Sequence, residues 1–340
     1  MLNRRMPNGT YGGVRGGRKF SLLDYKNVPG RVFLNILVTG GKKYEEEVFM
    51  VRKILGYICI LAAMGLLVFA VIKYYPKMMD YKKGQDLYND LEKKYTKNPK
   101  EKETEIDETE DAKDMEGDQK SQKENQMDLV KQILENAGID ADPSEYACID
   151  VDHEGLLEEN EDYIGWIYIP KTDISYPVVQ GENNEQYLHS NFRGEYNYPG
   201  TIFMDYRCKK GILNHHGILY GHNMRDGSMF AKTKNYTDQG FANEHPIIWF
   251  ITPKYRLLYQ VFSSYVANPR DKDAFGIEGY DFANNEEWDT VVNSLKEKSL
   301  IDMNVDVSGR DFTLTMSTCT SERVTRVVTS SVLAGSAKIS

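Results

Sequence analysis

The sequence predicts a mainly β domain, a barrel or sandwich with a few helices, carried behind one membrane-spanning helix and a charged stalk. Three observations lead there. From about Ile149 onward, short β-branched or aromatic runs recur, punctuated by Gly and Pro, the texture of a closed or double-layered sheet. Ile54–Ile72 is nineteen residues without a charge. Lys97–Met127 holds no aromatic residue, almost no aliphatic one, and a density of Glu, Asp and Lys.

Residues 1–53 carry eleven Lys/Arg against four Asp/Glu and read as a basic cytoplasmic tail, by the bias that keeps positive flanks inside. Gly and Arg dominate its start, and Arg31–Thr39 is mildly β-like. Met50 opens M-V-R-K-I-L-G-Y, itself a conventional beginning for a membrane anchor. A start of translation at Met50 is one hypothesis, and whether residues 1–49 are translated stays open; a peptide from residues 20–49 in a mass spectrum of the native protein overturns it. As a helix, residues 54–72 span about 28 Å, close to the hydrocarbon thickness of a bilayer. No small-x-small cleavage site follows; Lys-Tyr-Tyr-Pro stands there instead. The segment is expected to remain as a single-pass anchor, with everything after Lys73 outside. Cys59 lies within it and is expected to be inert.

Residues 73–127 are expected to form an extracellular stalk, largely disordered. Gly84–Tyr95 can make a short amphipathic helix through Leu87, Leu91 and Tyr95. Beyond it the chain cannot bury enough apolar surface to offset its conformational entropy. Residues 100–128 hold twelve Asp/Glu against five Lys, which reads as a solvated spacer rather than a calcium site. The catalytic domain is placed at 128–340, with the barrel beginning near 150. Leu129, Val130, Ile133 and Leu134 mark one helix face, and Gly138 can stop that helix. Strands are expected at Ile164–Ile169, Ile174–Val179, Thr201–Met204, Ile218–Tyr220, Ile247–Ile251, Leu257–Ala267 and in a final hairpin from Asp311 to Leu333. One helix interrupts them: Asn285 can cap it, and Trp288, Val291, Val292 and Leu295 form its apolar stripe. The net charge is −9, and no basic patch is laced with aromatics, so nucleic acid is not an expected partner.

The final hairpin carries the chemistry. Phe312, Leu314 and Met316 alternate with Thr313, Thr315 and Ser317, the period of a half-buried strand. Cys319 keeps the parity of the polar set, and a connection from Thr320 to Thr325 follows. If the strands pair antiparallel, Arg326 lies across from Cys319. A lone cysteine at a strand end is ordinarily a small buried hydrophobe. A cysteine nucleophile needs a proton partner, because free thiol is only a few per cent thiolate at neutral pH, and a donor where negative charge develops on the attacked carbonyl. His222, closing the short strand Ile218–Tyr220, and Arg326 supply those roles. His215 and His216 sit at the other end of that strand, whereas His153, His189 and His245 lie in polar surroundings and read as surface residues. The cysteines, Cys59, Cys148, Cys208 and Cys319, form no C-x-x-C pair, which argues against zinc. Outside the anchor three remain, so at least one is free of intrachain pairing; a Cys148–Cys208 bridge and a reducing habitat both stay open.

Several segments resemble the sortases, the cysteine transpeptidases of Gram-positive surfaces. They are T-L-T-M-S-T-C at 313–319, Y-G-H-N-M at 220–224, and Arg326 followed by Val-Val. W-I-Y-I-P at 166–170, I-S-Y-P-V-V-Q-G at 174–181, N-N-E-Q-Y-L at 183–188, G-T-I-F-M-D at 200–205, G-S-M-F at 227–230 and the helix at 285–299 resemble the class B branch. The resemblance covers roughly residues 150–335 and implies an eight-stranded sortase barrel. It implies that Cys319 is the nucleophile, His222 the general acid and base, and Arg326, rather than Arg323, the group that steadies the oxyanion. Ser317 and Thr318 are expected to contact the peptide. Thr329 stands where the family often has His. The implied partners are surface proteins bearing a C-terminal sorting signal, a peptidoglycan-precursor amine and the bilayer, with no metal or organic cofactor. Three rivals remain: a pilus-assembling sortase using a pilin lysine, a membrane-anchored binding module without turnover, and an L,D-transpeptidase. The last would want Gly before the cysteine, where Thr318 stands.

Overall fold

The computed structural model describes residues 30–98, 116–209, 215–268, 270, 285–320 and 324–339, with side chains from residue 45 in the first segment and from 121 in the second. The chain divides into two compact units, Met1–Tyr74 and Tyr75–Ser340. Helix α1 runs Gly30–Tyr95. Its part in the first unit includes the uncharged run, where an 18-residue window reaches a mean hydropathy of 2.6 with none of it buried. Leu66 and Ile72 are each 70% exposed. A helix of this length and composition is suited to lipid, because its backbone groups are satisfied within the helix and its side chains need an apolar solvent. Arg31–Thr39, read as mildly β-like, is helical; a short run with no partner strand satisfies its backbone more readily within a helix.

In the second unit, the end of α1 docks instead of standing free. Asp80, Gly84, Tyr88, Leu91 and Tyr95 fall at helical spacing on one stripe. Tyr88, Leu91 and Tyr95 are all within the main core, and the Tyr88 hydroxyl donates to the Gly200 carbonyl at 2.5 Å. Strand β1, Thr96–Lys97, then pairs with β2, Asp150–Val151. Between them, α2 begins at Glu116, runs to Asn136 and buries Gln126, Val130, Ile133 and Leu134. Gly138, at φ +70, stops it, with Ile139 N donating to Leu134 O at 2.9 Å. The 73–127 segment is thus not a free stalk at either end. Its charged middle, residues 99–115, lies outside the described residues.

A short helix α3, His153–Glu159, capped by Asp152, leads into the barrel. The barrel strands are β3 Tyr163–Tyr168, β4 Ser175–Val179, β5 Ile202–Met204, β6 His216–Tyr220, β7 Ile247–Ile251, β8 Tyr255–Ala267, β9 Thr313–Cys319 and β10 Arg326–Lys338. They close in the order β10-β8-β7-β3-β4-β5-β6-β9, the eight-stranded barrel that the resemblance implies. The last strand outruns the predicted end at Leu333 by continuing along β8 to Lys338. Trp166, Ile167, Val178, Ile202, Leu219, Ile248, Leu258 and Met316 all belong to the main hydrophobic core. A small helix α4, Gln239–Glu244, and helix α5, Asn285–Glu297, complete the unit. On α5, Trp288, Val292 and Leu295 bury a second cluster with Phe262, Tyr265, Val328 and Val332, on the outer face of β8 and β10.

Beneath α5 the outer face of the sheet is polar yet dry. His216 is 3% exposed, packs its ring on Trp288 at 5.0 Å, and its Nε2 bonds Thr315 Oγ1 at 3.0 Å. Thr315 in turn bonds Ser330 at 2.9 Å. Burial holds the His216 imidazole down at about 4 from its usual 6.5, partly offset by Asp205. The unfolded chain therefore binds a proton near pH 6.5 and the folded chain only near pH 4. Above 6.5 both are neutral and the residue contributes no pH dependence; between 6.5 and 4 acid draws the equilibrium toward unfolding. Wild-type stability should fall across that window by roughly 3 kcal/mol on account of this residue. Urea unfolding as a function of pH checks this, and His216→Gln should flatten the slope.

Candidate active site

The site follows from strand register. Strands β6 and β9 run parallel, with Tyr220 opposite Ser317. The contact continues past the end of β6: Gly221 N donates to Ser317 O at 3.2 Å, and Thr318 Oγ1 donates to Gly221 O at 2.8 Å. One step further, His222 falls beside Cys319, and Asn223 Nδ2 donates to Cys319 O at 2.8 Å. On the other flank β9 and β10 run antiparallel, with Arg326 directly opposite Cys319, the pairing expected from the hairpin. Three residues from three strand ends thus share one rim, with the sulfur in the middle. Gly221 is required here because a Cβ would come within 2.5 Å of Ile202 Cδ1 and 2.6 Å of Phe230 Cδ2.

The Arg326 guanidinium donates from Nη1 to Cys319 Sγ. Cys319, Arg326 and His222 are all half-buried, so the centre is reachable but not bathed. His222 Nε2 donates to the Leu188 carbonyl at 2.9 Å, which puts the proton of the neutral ring on Nε2 and its lone pair on Nδ1. His222 stacks on His189, ring centroids 5.3 Å apart, and on Tyr198 at 5.9 Å. A cleft of 190 Å³ opens over these groups, lined by Tyr81, His189, Tyr198, His222, Met224, Arg225 and Cys319 among others. A soft nucleophile with a cation on one side and an imidazole on the other can attack an acyl carbon, steady the oxyanion and protonate a leaving amine.

The structure corrects several expectations. Ser317 and Thr318 do not line the cleft: they are 1% and 0% exposed, and the Thr318 hydroxyl is bound to Gly221. Strand propensity and packing account for Thr318, and its parity turns it away from Cys319. His153, His189 and His245 are not surface residues. His153 is buried with Nδ1 on the Tyr163 hydroxyl at 2.9 Å, and His245 is buried against Phe241. His189 joins the cleft. Its partners come from distant stretches, so local polarity gave no signal; only its place two residues after Tyr187 in the N-N-E-Q-Y-L segment hinted at it. Arg323 lies outside the described residues. All four cysteines are unpaired, so Cys148 and Cys208 form no bridge. Burial pushes both thiols up, Cys208 to about 11.

This fold and rim define a cysteine acyl transferase, and comparison with known proteins supplies the family. The sortase domain profile matches residues 167–334, and the chain belongs to the sortase family of cysteine transpeptidases. It belongs to the class B branch. Sortase B of Staphylococcus aureus is 37% identical over 178 residues, 52% of this chain and 71% of the relative. Sortase B of Listeria monocytogenes is 36% identical over 168 residues, 49% of this chain and 67% of the relative. The solved structure of the Staphylococcus aureus sortase B–substrate complex is 32% identical, with a TM-score of 0.50, covering 66% of this chain and all of that one.

With its hydroxyl bound to the backbone, Thr318 should matter for stability rather than for substrate affinity. Thr318→Val strands the Gly221 carbonyl and is expected to lower the unfolding free energy by about 1–3 kcal/mol. The urea midpoint should fall while KM for a cleaved peptide stays within twofold of wild type.

Proposed function

We propose that this sortase cleaves a C-terminal sorting signal on surface proteins and joins the freed carboxyl end to an amine of a peptidoglycan precursor. The Cys319 thiolate attacks the carbonyl of a Thr–Gly-like or Thr–Asn-like bond, forming the S–C bond. The oxyanion meets the Arg326 guanidinium. Collapse breaks the C–N bond, and His222, which took the Cys319 thiol proton on Nδ1 while its Nε2–H stayed on the Leu188 carbonyl, gives that Nδ1 proton to the departing amine, leaving a thioester. An incoming amine, deprotonated by His222, then forms the new C–N bond and expels the thiolate. The observation that carries this reading is the bond from Arg326 to Cys319 in a cleft that His222 also lines. Of the other two thiols in this unit Cys208 is buried and Cys148 half-buried, and desolvation pushes both up, which favours Cys319 as the nucleophile.

The apolar run in α1 anchors the protein in this reading, with the basic tail inside and the barrel outside, where sorting signals and precursor both reach the membrane face. That Staphylococcus aureus sortase B has been solved as a complex with substrate supports this cleft as the substrate site.

The test is turnover. Full-length protein in detergent micelles is incubated with peptides of the N-P-Q-T-N and P-x-T-G types and a small amine. An acyl adduct on Cys319 and an amide product are expected by mass. Cys319→Ala should give neither, and His222→Ala and Arg326→Ala should each lose about 100-fold or more in kcat/KM. An unimpaired Arg326→Ala enzyme would remove that residue from the mechanism.

A further inference from the structure

The end of α1 reaches the reaction cleft through a segment that nothing in the mechanism above uses. Asp80 grips residues 197 and 198 in three ways. Its Oδ2 accepts from Tyr198 N at 2.9 Å, its Oδ1 accepts from Asn197 Nδ2 at 3.1 Å, and its carbonyl accepts from the same Nδ2 at 2.9 Å. One turn on, Gly84 lets the helix backbone lie against the segment, since a Cβ there would come within 2.6 Å of Asn197 Oδ1 and 3.3 Å of Pro199 Cγ. A further turn on, the Tyr88 hydroxyl holds Gly200 O and Thr201 Oγ1. Three successive turns of one helix face therefore fix residues 197–201.

That segment orients the imidazole. The Tyr198 ring lies nearly parallel to the His222 ring, 11° apart in plane. The Tyr198 carbonyl accepts from His189 Nδ1 at 3.1 Å, and His189 stacks on His222 from the neighbouring position. Leu188, adjacent in sequence, supplies the carbonyl that takes the His222 Nε2 proton. Tyr81, next to Asp80, stands 5.5 Å from the Tyr198 ring and lines the cleft itself. The cleft groups around His222 are thus Tyr81, His189, Tyr198, Asn223, Arg225 and Cys319.

We propose that Asp80 is a positioning residue for His222, acting through Tyr198, and that Tyr81 supplies one wall of the cleft. The proposal rests on the transpeptidase reading for its consequence in turnover. A carboxylate holding a backbone N–H and an amide makes charge-assisted bonds, stronger than neutral ones. Loss of that grip frees the aromatic layer on which the imidazole lies, and small errors in the placement of a proton donor are expensive.

The experiment compares Asp80→Ala, Asp80→Asn and Asp86→Ala in the full-length protein in micelles. Asp86 is exposed on the same helix, so its variant makes the same charge change away from the segment. Asp80→Ala should lower kcat for sorting-peptide cleavage by about tenfold with KM within twofold. It should also shift the His222 imidazole resonances and the pH profile of Cys319 alkylation. Asp80→Asn keeps an acceptor for Tyr198 N–H but only one of the two Asn197 bonds, because an amide turned to accept from the new NH2 would set its oxygen against the residue 80 carbonyl; since the grip acts through Tyr198, it should recover part of both. Asp86→Ala should match wild type. Wild-type kcat and an unmoved His222 resonance in Asp80→Ala overturn the proposal, as does an equal loss in Asp86→Ala or a loss fully explained by the unfolded fraction. Should wild type fail to cleave any sorting peptide, the substrate reading falls, while the resonance and alkylation profile still decide Asp80.

Discussion

Strand β9 must keep its register against both neighbours at once. With side chains alternating faces, a slip of one residue would turn Cys319 from the rim toward the interior and bring Thr318 into its place. The structure guards that register at several heights. Thr313 Oγ1 donates to His215 O at 2.8 Å, Thr315 bonds Ser330, Ser331 donates to Leu314 O at 2.8 Å, and Thr318 bonds Gly221. Each is a side-chain tie whose loss leaves a buried polar group without a partner. The hydroxyl-rich composition of T-L-T-M-S-T-C is thereby explained as alignment, with the cysteine at the one position where the column reaches the rim.

The same small polar residues let two hydrophobic clusters share one sheet. The barrel interior takes Leu314 and Met316, while the outer face of β8 and β10 is covered by α5 through Trp288, Val292 and Leu295. Ser263 donates to Leu295 O at 2.6 Å, and Ser264 bonds Thr329 at 3.0 Å. Short hydroxyl side chains bring helix and strands close while satisfying themselves. Thr329, where the family often has His, lies on the opposite face, paired with Met316 and Ser264: it is fully buried and its hydroxyl is used.

Most of the barrel was legible because its strands announce themselves by alternation and by Gly and Pro at their ends. Trp166, Ile167, Val178 and Met316 are core residues that any such reading finds. The rim pairing of Cys319 with Arg326 followed from counting residues around the final connection, and His222 entered through resemblance, since no local pattern says that residue 222 meets residue 319. What stayed hidden was made by partners far apart in sequence. Asp80 meets Tyr198, His153 meets Tyr163 across a helix, and Tyr88 meets Gly200; in each case the local composition reads as solvated. The stripe at Asp80, Gly84, Tyr88, Leu91 and Tyr95 was partly visible, but two of its five members are a charge and a glycine, which a hydrophobicity pattern does not count.

The parallel ladder between β6 and β9 joins segments nearly a hundred residues apart in sequence: Asn223 reaches Cys319 across 96 positions. Contacts of such separation are slow to form. Arg326 stands further along still, on the strand that pairs with both β8 and β9. A partly folded chain can therefore hold its histidine and its thiol far apart, and the rim is assembled only as the barrel shuts.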